Sequence, residues 1–89
     1  MDRQEFETRL KHDGYTQIEA KSLQPRPVND KHGHPYAVRG LVLSGTFTIR
    51  RSDIAKTYRA GEVFSVEAGQ DHSEEIGSDG AEVIVGRRY

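Results

Sequence analysis

The sequence predicts an all-β domain, a small antiparallel β-barrel preceded by one short helix. Three observations carry that expectation. Turn-forming residues recur at short intervals after position 36: Gly45, Ser52-Asp53, Gly61, Gly69, Gly77 and Asp79-Gly80. Between them lie short runs rich in β-branched and aromatic residues, the pattern of strands in a barrel or sandwich. Only one segment has helical spacing, so the alternation of strands and helices that builds a parallel sheet is missing.

The helix is expected over Asp2 to Lys11. Asp2 is a capping residue with Glu5 three positions on, as in a capping box. Phe6 and Leu10 stand four apart and form one apolar stripe. Gly14, just after His12 and Asp13, is a natural stop. Thr16 to Ala20 reads as a first strand. Gln24-Pro25-Arg26-Pro27 is a connector or an edge, because proline has no donor for a ladder. Tyr36–Ser44, Thr46–Arg50, Glu62–Val66, His72–Ile76 and Ala81–Arg87 are the remaining candidate strands. One domain is expected over residues 1–89, with the helix in 1–13 and the barrel in 16–89.

Parity along Tyr36–Ser44 separates two faces. The even set, Tyr36, Val38, Gly40 and Val42, continues the face of His32 and His34. The odd set is Ala37, Arg39, Leu41 and Leu43. Both are apolar in their second half. A barrel interior accounts for one; the other needs a cover, either the Phe6/Leu10 stripe or a second subunit. Arg39 is expected to point away from the histidines and to pair with an acidic group.

Composition narrows the partners. Thirteen basic and fourteen acidic residues give a formal net charge of -1. That balance offers no footprint for nucleic acid or an anionic membrane surface. The longest apolar run, Leu41-Val42-Leu43, is far below the ~20 residues a membrane helix needs. The amino terminus is polar and lacks the features of a signal peptide, so a cytoplasmic location is the default expectation. There is no cysteine, so disulfides and thiolate metal sites are excluded. Only 34% of the residues are hydrophobic. The core is thin for an 89-residue chain, and a metal or a partner subunit would help it.

The chemistry lies in three histidines. In an extended chain His32 and His34 point to one face with backbones roughly 6.6 Å apart. Both imidazoles then reach one cation at the usual ~2.0–2.1 Å. His72 follows some forty residues later. His12 follows the helix and reads as a surface residue.

These residues resemble the cupin family. Its first motif runs Gly, five residues, His-x-His, three or four residues, Glu, six residues, Gly; His32, His34 and Gly45 fall in register. Its second runs Gly, five residues, Pro, x, Gly, two residues, His, three residues, Asn; Gly61, Gly69 and His72 fall in register. The resemblance spans Arg26 to Ile76 and looks closest to small single-domain bacterial members. It implies a double-stranded β-helix barrel with a metal near its mouth, and a homodimer. There are departures. Arg26 replaces the first Gly, Glu67 the Pro and Ile76 the Asn. Val38 stands where the ligand Glu is expected, or Arg39 with the longer spacing, and a guanidinium cannot ligate.

Glu74, two residues beyond His72, shares that histidine's face in a regular strand and is the candidate replacement. The expected metal site is therefore His32, His34, His72 and Glu74, or the three histidines completed by water. Tyr36, Val38, Val42 and Ile76 are the expected pocket residues. Imidazole ligands suit a divalent transition metal (Fe, Mn, Ni, Cu or Zn) and not a calcium cage. Three classes of function stay open. They are a metal-dependent enzyme on a small organic substrate, such as a dioxygenase-like one; a ligand-binding or sensory module without turnover; and a vestigial site. The first two take a small-molecule ligand or substrate as partner.

Overall fold

The computed structural model describes residues 1–26 and 32–89. Pro27, part of the expected connector, lies outside the described residues. The chain forms α1 (Arg3–His12), β1 (Thr16–Leu23), β2 (Ala37–Arg51), β3 (Ile54–Arg59), β4 (Val63–Val66) and β5 (Ser73–Arg88).

Helix α1 is defined at both ends by its own sequence. The Asp2 carboxylate accepts the Glu5 amide at 2.8 Å, satisfying a donor that the first turn cannot. At the other end Gly14 takes φ +85°. The Tyr15 amide then donates to the Leu10 carbonyl at 2.9 Å and the Gly14 amide to that of Lys11 at 3.2 Å. This is a Schellman motif, completed by packing of Tyr15 with Leu10 in one cluster.

All strand pairings are antiparallel, in the order β1-β5-β2-β3, with β4 also on β2. Long β2 serves three partners. Its first half lies between β4 and the end of β5; its second half lies between β3 and the start of β5. Two of the expected strand breaks are bends instead. Thr46–Arg50 continues Tyr36–Ser44 through Gly45, and Ala81–Arg87 continues His72–Ile76 through Gly77 and Gly80. The β2–β5 register shifts between Val42 and Ser44, and again between Gly45 and Phe47. Gly45 and Gly80 take φ of +77° and +73°. A Cβ on Gly45 would lie 2.0 Å from the Gly80 carbonyl oxygen. Glycine here permits bulges that bend both strands together. The sequence reading also passed over β3, which closes a hairpin through Ser52-Asp53, with Arg51 opposite Ile54.

Bending lets one sheet enclose a core on its concave side. Val42, Phe47, Tyr58, Phe64, Ile76 and Val83, drawn from four strands, form one buried cluster. The odd face of β2 packs the other way. Ala37 and Leu41 join Phe6, Leu10, Tyr15 and Ile84. The cover for this face is thus α1. It is supplied within one chain, so this face gives no argument for a homodimer. Burying Phe6 and Leu10 contributes about 1.5–3 kcal/mol each.

Arg39 points outward as expected. Its Nη1 lies 2.5 Å from Asp13 Oδ2, and its guanidinium sits 4.5 Å from the centre of the Tyr15 ring. Arg88 approaches the same ring at 4.9 Å and donates to the Asp13 carbonyl. This cluster ties the end of α1 to the sheet. Among the described residues no helix is long and apolar enough to cross a membrane.

Candidate metal centre

A single rung of backbone pairing creates the site. The His32 amide donates to the His72 carbonyl and the His72 amide to the His32 carbonyl, both at 2.8 Å. Residues opposed in this way carry their side chains on the same face. The two rings are accordingly 4.4 Å apart. His34, two residues on, returns to that face, with its ring 5.1 Å from His32 and 5.7 Å from His72. The Gly69 amide holds the His34 carbonyl at 2.7 Å. Gly69 itself needs φ +75° in the turn where the Gln70 amide reaches the Glu67 carbonyl. The sequence spacing of the three histidines thus becomes convergence in space.

The donor set fits a metal ion. One nitrogen from each of His32, His34 and His72 lies within 4.8 Å of the others. Ligands at about 2.0–2.1 Å from one ion stand roughly 3–3.4 Å apart, so small ring rotations close the site. His72 is only 1% exposed. Its Nδ1 faces the Gln70 carbonyl at 3.1 Å, an acceptor, so Nδ1 carries the proton. Its Nε2 faces the Glu74 carboxylate at 3.3 Å, also an acceptor. With Nδ1 donating to the carbonyl, Nε2 is the nitrogen turned toward the shared centre and the one that would ligate an ion. Donation of Nδ1–H to a backbone carbonyl is the usual way to orient a ligating histidine. Burial holds the His34 pKa below its ordinary value, with help from the neighbouring His32 and His72. The neutral, ligating form is favoured there.

Glu74 faces the centre, as its spacing from His72 requires. Oε1 lies 3.9 Å from His32 Nε2 and 3.4 Å from Arg26 Nη2. It stands beside the triad, but its carboxylate oxygens are not part of the set of ligand atoms that all lie within 4.8 Å of one another.

A cavity of about 230 Å³ adjoins the centre. His34, His72 and Glu74 line it, with Tyr36 and Val38 in its wall. Val42 and Ile76, expected there, are not among the lining residues; both are buried in the core cluster. Parity had placed Val42 on the right face, but at 0% exposure its neighbours cover it completely. Phe47, Phe64, Val66, Val83 and Val85 supply the apolar wall. Lys21, Arg26 and Arg87 also line the cavity, and the sequence reading missed them. The signal for Arg87 was present. It continues the inward row Ala81, Val83, Val85, where alternation calls for an apolar residue.

The backbone arrangement resembles those of several solved structures. A cupin-2 domain protein from Shewanella frigidimarina superposes with a TM-score of 0.70, at 19% identity, over 86% of this chain and 72% of that one. The chain has the cupin fold. A second cupin, Bacillus subtilis oxalate decarboxylase with Mn(II) centres, matches at TM-score 0.68 and 18% identity, over 80% of this chain but only 20% of its own. Drosophila melanogaster CENP-C, in a structure bound to CAL1, matches at 0.65 and 13%, over 79% of this chain and 63% of its own. No family model and no curated protein matches the sequence. At these identities the likeness establishes the cupin fold; what the cupin does rests on the site.

Proposed function

We propose that this chain is a transition-metal-binding cupin that takes a small organic molecule into the cavity beside its histidines. The observation that carries the reading is the convergence of three imidazoles at the end of an apolar pocket. The Mn(II) centres of a decarboxylase with the same fold support it. His32, His34 and His72 would hold the ion, with Glu74 as a fourth ligand. When bound, a divalent metal supplies Lewis-acid polarisation of an oxygen-bearing ligand, and a redox-active one opens dioxygenase-like chemistry. The chain's own residues then do three things. The apolar walls exclude water from the ligand, Tyr36 orients His34 by stacking at 4.9 Å, and Glu74 balances charge beside His72.

Capture without turnover is the second reading, and one observation favours it. Glu74, the single carboxylate among the described residues that line the cavity, is engaged by Arg26 and His72, which makes it a poor general base.

Elemental analysis followed by titration with Fe(II), Mn(II), Ni(II), Cu(II) and Zn(II) tests the metal. A dissociation constant weaker than about 1 mM for all of them, only about 4 kcal/mol, overturns the proposal and leaves a vestigial site. Oxygen uptake by Fe(II)-loaded protein with diketones, thiols and phenols separates the two readings. Altered product supports an enzyme; tight binding with the ligand recovered intact supports capture.

A further inference from the structure

We infer that the cavity selects a small organic monocarboxylate, and that Arg87 is the group that binds its carboxylate. The inference rests on the pocket reading above and adds the charge of the occupant. Of the three cations among the described residues that line the cavity, two already face carboxylates. Lys21 Nζ lies 3.4 Å from Glu19 Oε1, and Arg26 Nη2 lies 3.4 Å from Glu74 Oε1. Among the described residues Arg87 meets only neutral groups. Its Nη1 donates to Gln17 Oε1 at 3.2 Å, and its guanidinium lies 4.6 Å from the centre of the Tyr36 ring.

The fold aims this arginine inward. Arg87 is opposite Val38 in the β2–β5 ladder and shares a face with Val83 and Val85, all three of which line the cavity. Contact with Gln17 on one side and Tyr36 on the other fixes the guanidinium before any ligand arrives. One of its five N–H groups is used by Gln17, leaving a planar fork for a two-point bond to a carboxylate.

Charge and size then define the ligand. Among the described cations of the cavity, Arg87 is the one with no carboxylate opposite it. Its fork offers one two-point site, which matches a single carboxylate in shape. The apolar wall suits a hydrocarbon body. The volume, about 230 Å³, has room for roughly seven waters at ~30 Å³ each, the scale of a small organic acid. Tyr36 contacts both Arg87 and His34. A ligand whose carboxylate sits on Arg87 therefore extends its other end toward the histidines.

Calorimetric titration of the full chain with butyrate and benzoate, against butyramide and benzamide, tests this with and without Mn(II). Each acid should bind at least about tenfold more tightly than its amide. Arg87→Gln should abolish that preference while leaving Mn(II) affinity unchanged. Arg87→Lys should weaken it at least about threefold, because an ammonium keeps the charge but loses the fork; this variant decides the matter if Arg87→Gln fails to fold. Lys56→Gln, on exposed β3, should change nothing. Equal affinity for acids and amides, no acid binding, a preference that survives both Arg87 variants, or inorganic phosphate outcompeting both acids each overturns the inference. Acid binding that depends on Arg87 in protein that takes up no metal upholds it, and removes the metal reading alone.

Discussion

The two faces of β2 are finished in opposite ways. On the outer face, Ala37 and Leu41 disappear beneath α1, and polar pairings close the seam: a capped helix start, a Schellman stop, and Arg39 on Asp13. On the inner face, Val42 is sealed in the core, but toward the strand's start the apolar row gives way to Val38, Tyr36, His34 and His32. There, rings and charges crowd around open volume. The first arrangement maximises burial. The second sets imidazole nitrogens and a carboxylate facing one another beside open volume, an arrangement suited to a bound ion. The contrast locates stability on the outer face and chemistry on the inner one.

The largest effect should come from breaking the seal. Phe6→Ala is expected to cost about 3–5 kcal/mol, lowering Tm by something on the order of 20 °C. Metal affinity per folded molecule should be unchanged. A comparable loss of metal binding would mean that the two faces are not separable. Next comes His34→Ala. Its ring is partly exposed, so metal-free Tm should move by no more than about 0.5 kcal/mol equivalent. Metal affinity should fall at least about 100-fold, roughly 2.7 kcal/mol, as read by competition with a chromophoric chelator. Glu74→Gln is expected to be smaller, about tenfold in metal affinity, in line with a group that supports or completes the ligand set. Unchanged tight binding would remove Glu74 from the site.

Acid should separate the faces more gently. His34 is held below its ordinary 6.5 by burial first. In metal-free protein the unfolded chain therefore takes up that proton before the folded one. Stability should begin to fall as pH drops below 6.5 and level off below the folded value. Asp13 is held below its ordinary 3.8, first by the hydrogen bond from Arg39. Its contribution is complete above 3.8 and disappears only as pH falls through the lower folded value. Melting curves across pH should show the inner-face loss first and the outer-face loss last. Arg39→Ala should flatten only the second.

Much of this was legible in the sequence because it depends on local rules. Asp2, Glu5 and Gly14 mark the helix, and period two sorts Ala37 and Leu41 from Val38 and Val42. The spacing of Gly61, Gly69 and His72 against His32 and His34 announces the triad. What escaped depends on the whole sheet. A glycine with positive φ reads alike in a turn and in a bulge, so Gly45 and Gly80 suggested breaks in strands that run through. Strand β3 was invisible because Ile54 is 72% exposed and only Tyr58 is buried, leaving no alternation to detect. Parity assigns a face but not which side chains cover it, which is why Val42 and Ile76 are sealed in the core. Arg87 was passed over because a charge within an apolar row resembles the end of a strand.

The rung joining His32 to His72 has a mechanical consequence. An ion held there ties together two points forty residues apart in the chain, so it acts as a reversible crosslink around the intervening hairpins. Unfolding must eject the ion before those hairpins can separate. At a free metal concentration about 100 times its dissociation constant, that tie adds roughly 2.7 kcal/mol to the folded state. For so small a domain, the supply of metal would set how long the fold survives heat, and a chelator would act as a denaturant.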